Sequence, residues 1–367
     1  MIGAERLPAL VLTGFLGSGK TTLLGRILAD PQFSDSAVIL NELGEVGLDQ
    51  DLVTLSEDST VVMPGGCVCC TVRGDIERAL RDLFDARDAG RIQPFRRVII
   101  ETTGIADPLP LLFTLNASPL AAERLEKPRV VTIVDGVLGR ETLASQPEAA
   151  AQVAAADLIV ISKRDLEADP SLDAVLSRLN PWAPRRRADL LTDAVADLIA
   201  PPEGDVVTRH VGRFACLPAG DAGFSDGEAH GGVRSFCLVL DTPLDWTAFG
   251  IWMSMLLHRH GQQVLRVKGL LDVEGAGGPV VFHSAQHLVH PPIHLTQWPS
   301  EDHRSRLVFI VRGLTPESVE QSLRTFDSAA KLSQRDAGRG GYLPAGAGGT
   351  IAGRPVRRAT APRWMKG

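Results

Sequence analysis

The stretch GFLGSGKT, residues 14–21, decides the fold. It fits G-x-x-x-x-G-K-[S/T] and stands between an apolar run, ALVLT (9–13), and a helical stretch, TTLLGRILAD (21–30). A strand before and a helix after are the context that this pattern requires. Gly14, Gly17 and Gly19, with Ser18 among them, let the backbone wrap closely round phosphate groups with its N–H groups turned inward. The helix N-terminus adds a favourable dipole. Lys20 is placed to reach the β- and γ-phosphates, the Thr21 hydroxyl to ligate Mg²⁺, and Thr22 to complete the cofactor-binding set.

Outward from the loop, SAVILN (36–41), RRVIIE (96–101), RVVTIVD (129–135) and DLIVIS (157–162) are unbroken apolar strand candidates. DIERALRDLFDARDAG (75–90) sets Ile76, Ala79, Leu80, Leu83 and Phe84 on one helical face. Continuous apolar strands alternating with helices predict a mostly parallel sheet buried on both faces. The expected fold class is α/β: a P-loop NTPase domain over residues 1–200, its sheet flanked by helices, plus a small α+β domain over 233–328. Between them, 201–232 is rich in Gly, Pro, Asp and Ser, as a linker would be. In the second domain SFCLVLD is a strand, DWTAFGIWMSMLLHRH a helix, QQVLRVKGLLDVEG and GPVVFHSA a hairpin pair, RSRLVFIVRGL a further strand and TPESVEQSLRTF a closing helix. Residues 329–367 are Gly-, Ala- and Arg-rich and read as a flexible basic tail.

The chain has 367 residues, 44% of them hydrophobic and 22% charged, enough for two domains with real cores. The formal net charge of -6 gives no general attraction to nucleic acid or anionic membranes. No run approaches the roughly 18 apolar residues of a membrane span. LPALVLTGFLG (7–17) runs directly into the phosphate loop and lacks a cleavage site, so the expected compartment is the cytoplasm. Five cysteines, three of them crowded together, fit no disulfide framework.

Three further segments carry chemistry. VIIETTG (98–104) ends a strand in Glu101 and reaches Gly104 three residues on. In P-loop GTPases this is where the Mg²⁺-supporting acid and the γ-phosphate-sensing turn stand. Lys20, Glu101 and Gly104 are therefore the expected catalytic residues. VISKRD (160–165) ends a later strand where many GTPases read guanine with Asn-Lys-x-Asp. Asp165 would accept from guanine, Lys163 would lie along the base, and Ser162 stands where the Asn is usual. No Gln follows Gly104, so intrinsic hydrolysis is expected to be slow. NELGEVGLDQ (41–50), with Glu42 and Glu45 beside two glycines, suits a switch loop.

GGCVCCTVRG (65–74) holds Cys67, Cys69 and Cys70. A turn holding all three could present thiolates to one soft or borderline metal, leaving a fourth position on Zn²⁺ for a carboxylate such as Glu42, for solvent or for a client's ligand. Rival readings are a redox thiol cluster and inert buried thiols. Cys216 and Cys237 stand alone and read as core or linker thiols. Seven of the nine histidines fall between His258 and His303, irregularly spaced and without a cysteine partner, which reads as packed or surface histidines.

GFLGSGKTTLL, VILNELGEVGLDQDLV, GGCVCCTVRGD, VIIETTGIADP and ISKRD, in this order, resemble the CobW-type GTPases, a family of zinc chaperones and relatives serving cobalt- or iron-dependent enzymes. The resemblance continues through LDWTAFGIW, LRVKGLLDVEG, VFHSAQH and SRLVFIVRGL and covers residues ~8–325. It implies GTP hydrolysis, with Mg²⁺, coupled to delivery of Zn²⁺ (or cobalt or iron) to a client metalloprotein held by the C-terminal domain. It carries Cys67, Cys69, Cys70 and Glu42 over as ligands of the transported metal, and Thr21 and Glu101 as Mg²⁺ ligands. Two departures stand out: the linker has only His210 and His230 in place of a His-rich stretch, and Ser162 replaces Asn. The other readings are a regulatory or redox-sensing GTPase with a structural cysteine cluster. No membrane partner is expected, the net charge argues against nucleic acid, and a homo-oligomer is left open.

Overall fold

The computed structural model describes residues 6–41, 60–63, 72–166, 169–188, 232–285 and 288–326. Residues 42–59 and 64–71, the linker as far as residue 231, and the tail lie outside them. The first sheet contains β1 (Ala9–Gly14), β2 (Ser36–Asn41), β3 (Thr60–Met63), β4 (Arg97–Glu101), β5 (Arg129–Asp135), β6 (Leu158–Ser162) and β7 (Arg185–Arg187). Their order is β3-β2-β4-β1-β5-β6-β7, and every pairing is parallel. The five strands read from the sequence are all present. β3 and β7 are added: β3 is only four residues long, and β7 is three arginines, with no apolar pattern to betray an edge strand.

Period-two alternation explains why β1 is apolar from Ala9 to Leu12. Ala9 and Val11 face one core, shared with Leu80, Leu83 and Phe84 of α2 (Val72–Asp88). Leu10 and Leu12 face the other, against Leu23, Leu24 and Ile27 of α1 (Lys20–Ala29). Helix α2 starts at Val72, one turn before the expected Asp75, so the cysteine run leads directly into its N-terminus. The first core also takes in α3 (Leu109–Ala117), α4 (Pro119–Arg124), α5 (Gly139–Ser145), α6 (Pro147–Ala155) and α7 (Leu172–Leu179).

The second sheet is antiparallel, ordered β11-β10-β9-β13-β8, with β12 also pairing β10. Its strands are β8 (Val233–Leu240), β9 (Val264–Leu271), β10 (Val280–Ala285), β11 (Leu288–Val289), β12 (Ile293–His294) and β13 (Ser305–Arg312). The expected hairpin is β9 with β10, Val280 opposite Leu271. Helix α8 (Trp246–His260) is capped by Asp245, whose carboxylate accepts from the Ala248 N–H at 2.7 Å. It buries Phe249, Trp252 and Met253 against Phe236, Phe282 and Phe309 of the sheet. Trp252 Nε1 donates to Ser322 Oγ at 3.0 Å and so ties in the last helix, α9, over 316–326.

The two sheets share a core. Val233, Leu265 and Ile310 of the second sheet belong to the cluster built on α6 and α7. Arg266 of β9, 7% exposed, crosses the seam. Its guanidinium donates to Ala155 O (2.7 Å) and Ala156 O (3.0 Å) and pairs with Asp157 at 2.5 Å. Ser235 Oγ also donates across it, to Arg178 O.

Candidate nucleotide site

The parallel sheet delivers its chemistry to one end, because every strand points the same way and the loops that follow gather there. The phosphate loop links β1 to α1. Gly14, Gly17 and Gly19 have φ of 150°, 72° and 98°, in the region that disfavours side chains. A Cβ on Gly14 would also lie 2.4 Å from Ile133 O of the neighbouring strand, so only glycine fits there. Lys20 opens α1 and folds back over the loop, donating to Gly14 O (2.8 Å) and Phe15 O (3.2 Å). Burial lowers its ammonium below the usual range, and the Glu101 carboxylate partly offsets this. Such a lysine is held by two weak neutral acceptors that a phosphate oxygen would outcompete. Ser18 Oγ is buried without a hydrogen-bond partner, a free hydroxyl in the floor of the loop. Thr22 is exposed on the first turn of α1.

Thr21 Oγ1 lies 3.5 Å from Glu101 Oε1, at the end of β4. A hydroxyl beside a carboxylate is a hard-oxygen pair, which suits Mg²⁺. The turn after Glu101 is pinned to β1: the Thr102 N–H donates to Leu12 O at 2.9 Å, and Thr102 Oγ1 donates to Thr13 Oγ1 at 2.8 Å. Two residues on, Gly104 presses against the phosphate loop. A Cβ there would lie 2.6 Å from the Leu16 side chain and 2.8 Å from the Leu16 backbone nitrogen. The fold therefore requires glycine at 104 for this close approach.

The turn that carries Lys163 and Asp165 follows β6. Ser162 Oγ donates to Ser18 O at 2.6 Å, so this hydroxyl tethers the turn to the phosphate loop. Ser162, which stands where Asn is usual, thus spends its hydroxyl hydrogen on the phosphate loop. Lys163 has a φ of 53°, a strained value for a residue with a side chain, of the kind found at binding sites. Its ammonium pairs with Asp135 Oδ2 at 2.6 Å. Burial alone would raise the Asp135 carboxyl. Hydrogen bonds from Lys163 and from the Leu138 and Val137 N–H groups outweigh it and hold the carboxyl below its ordinary range. Asp165 is exposed two residues beyond Lys163. A pocket of about 260 Å³ adjoins the loop, lined by Phe15, Gly17, Asp135, Thr142, Gln152 and Lys163 among others. Asp135 and Gln152 are residues that sequence reasoning missed. Asp135 had a signal, an acid at the end of a buried strand.

Cys67, Cys69, Cys70 and Glu42 lie outside the described residues. Among the described residues no three His, Cys, Asp or Glu gather to hold a metal. His283 and His290 pack ring to ring at 4.4 Å, and His283 Nε2 lies 3.0 Å from Lys127 Nζ. Burial, and then the charges of Lys127, Lys268 and Arg266, hold His283 neutral, so its Nε2 accepts from the lysine. His290 is lowered to about 4, chiefly by burial. These are packed histidines. Burial pushes the Cys237 thiol up to about 11, which leaves it an unreactive core thiol. None of the described helices is long and apolar enough to cross a membrane.

Residues 8–187 match the CobW/HypB/UreG nucleotide-binding domain, and residues 233–327 match the cobalamin synthesis protein cobW C-terminal domain. The chain is 32% identical to the zinc chaperone YjiA of Escherichia coli (strain K12), over 84% of this chain and 95% of the relative. It is 28% identical to the zinc chaperone CobW of a Sinorhizobium species, over 74% and 82% respectively. Its structure resembles the crystal structure of the Zn(II)-bound YjiA GTPase from E. coli, with a TM-score of 0.67, 28% identity and coverage of 88% of this chain and 99% of that one.

Proposed function

This chain belongs to the CobW family of nucleotide-binding proteins, and on that premise we propose that it is a GTP-hydrolysing metallochaperone that delivers Zn²⁺ to a client metalloprotein. The observation that carries the reading is an adjacency. β3, β2 and β4 are neighbours in one parallel sheet, and β4 ends in Glu101, beside Thr21. Glu42 follows the last residue of β2, and Cys67 follows the last residue of β3 by four positions, a reach of at most about 15 Å. Cys70 precedes the first residue of α2 by two, and a helix N-terminus favours the thiolate form that binds metal. The expected metal site and the expected γ-phosphate site thus hang from adjacent strand ends.

The roles follow. The phosphate loop and Ser18 cradle the phosphates, and Lys20 exchanges its two loop carbonyls for β- and γ-oxygens. Thr21 and Glu101 hold Mg²⁺, which supplies charge neutralisation on the phosphates. Gly104 senses the terminal phosphate, Asp165 and Lys163 read guanine, and Ser162 fixes their turn against the loop. GTP acts on the switch loop, residues 41–50, and brings Glu42 to the thiolates of Cys67, Cys69 and Cys70. Hydrolysis removes those contacts and loosens the metal, which passes to a client held by the C-terminal domain. By linkage, GTP and zinc strengthen each other by the same factor, about 5- to 150-fold.

The test is zinc affinity by competition with a chromogenic chelator, in reducing buffer, with GTP–Mg²⁺, with GDP–Mg²⁺ and without nucleotide. One zinc is expected to bind tightest with GTP, and Cys67→Ser, Cys69→Ser and Cys70→Ser each to remove that binding. Equal affinity in all three states, or serine variants that keep wild-type affinity, would refute the proposal.

A further inference from the structure

Helix α6 has the sequence PEAAAQVAA, and every residue from Ala149 to Ala155 is buried. Its one polar side chain in that run, Gln152, is 1% exposed. An amide is costly to bury unless it is hydrogen-bonded, so its partners indicate why it is there. Gln152 Nε2 donates to Gly104 O at 3.1 Å and to Ala106 O at 3.0 Å. Two carbonyl acceptors fix which way the amide points, since only its NH₂ group can donate twice. The Gln152 backbone carbonyl accepts from Thr132 Oγ1 of β5 at 2.8 Å. One residue therefore holds the turn beside the phosphate loop with its side chain and the central sheet with its backbone.

Both ends of α6 meet the second sheet. At the C-terminal end Arg266 of β9 donates to Ala155 O and Ala156 O and pairs with Asp157. At the N-terminal end Arg312 of β13 reaches Pro147 O at 3.4 Å. Asn180 Nδ2 also holds Val153 O and Ala156 O, at 2.8 and 3.0 Å. A nine-residue helix is about 13 Å long and, packed by alanines with no slack, moves as one body.

We propose that Gln152 is a positioning residue for GTP turnover: it sets the turn carrying the Gly104 N–H, and α6 conveys to that turn how the C-terminal sheet is seated. The inference rests on the GTPase reading above. The Gln152 NH₂ is committed to two carbonyls, whereas its buried Oε1 makes no hydrogen bond, so the proposal concerns the NH₂ group alone. A client bound to the C-terminal sheet would then change turnover through α6, and GTP would reciprocally change client affinity.

The test uses the full chain with Mg²⁺ and no transition metal, reading kcat and KM for GTP and the affinity for GDP. Gln152→Glu keeps the shape and loses both donors. Gln152→Met keeps the volume and serves if the glutamate variant does not fold. Either is expected to lower kcat roughly 10- to 100-fold with GDP affinity within about twofold of wild type. Arg266→Lys keeps the charge opposite Asp157 but loses the two carbonyl bonds. It is expected to lower kcat about three- to tenfold, and the double variant to fall no further than the Gln152 variant alone. Unchanged kcat, a loss of GDP affinity in step with kcat, or additive losses in the double variant would overturn the inference. A wild-type protein that turns over no GTP would remove the GTPase reading and this inference with it, a failure visible before any variant is compared.

Discussion

Gly104→Ala isolates the terminal phosphate from the rest of the nucleotide. The added methyl would meet the Leu16 side chain at 2.6 Å and Leu16 backbone atoms at 2.8 and 2.9 Å. The side chain can turn away, but the backbone belongs to the phosphate loop and cannot yield without opening it. Restoring carbon contacts of about 3.5 Å therefore moves the turn by roughly 0.6 Å or more. A hydrogen bond of about 2.9 Å from the residue 104 N–H to a γ-oxygen then stretches to about 3.5 Å, where little of it remains. Hydrogen bonds to charged groups contribute about 1.5–3 kcal/mol, so GTP binding should weaken roughly 10- to 150-fold. GDP has no γ-phosphate and should bind as before. The assay is displacement of a fluorescent GDP by GDP and by a non-hydrolysable GTP analogue. A preference ratio within about threefold of wild type would show that Gly104 does not face the terminal phosphate.

Two further outcomes are expected. Ser162→Ala removes the 2.6 Å bond to Ser18 O and should weaken GTP and GDP together by about fivefold, corresponding to about 1 kcal/mol, whereas a direct base contact would alter guanine-over-adenine selectivity instead. At Asp157 burial alone would raise the carboxyl, but Arg266, then Lys268, Lys127 and the Val130 N–H, hold it well below the usual range. Its folded-state pKa is therefore depressed, so its stabilisation is present above about pH 5 and is lost as pH falls through and below the ordinary carboxylate value near 4. Asp157→Asn should cost about 3–5 kcal/mol in urea unfolding at pH 7 and flatten the decline between pH 5 and pH 3. An unchanged decline would place the acid sensitivity elsewhere.

The parallel sheet was legible because its five long strands are buried on both faces and so read as continuous apolar runs. The strand–loop–helix around the phosphate loop was legible because a tight backbone cradle needs glycines at fixed spacing. β7 was not, since three arginines on an edge carry no period. Gln152 was hidden for a different reason: nothing in PEAAAQVAA says that its acceptors lie 46 and 48 residues earlier in the chain. The Ser162 bond to the phosphate loop was hidden too, because it joins residues 144 apart in the chain. The Arg266–Asp157 pair joins residues 109 apart, and only the docking of the second sheet reveals it.

The shared core also sets a timetable for synthesis. Helix α6 ends at Ala155, but β9 begins at Val264 and β13 at Ser305. A ribosome adding roughly 5–20 residues per second makes β13 on the order of ten seconds after α6. Between the completion of β7 at Arg187 and the synthesis of β9, the parallel sheet is complete in sequence while the side of α6 that will meet β9 has no cover, and Asp157 waits in water for Arg266. The nascent protein thus passes through a stage with a finished nucleotide loop and an apolar seam open to the ribosome's surroundings. Nucleotide bound at that stage would stabilise the half already made, and occupancy by holdase chaperones should peak before residue 312 emerges.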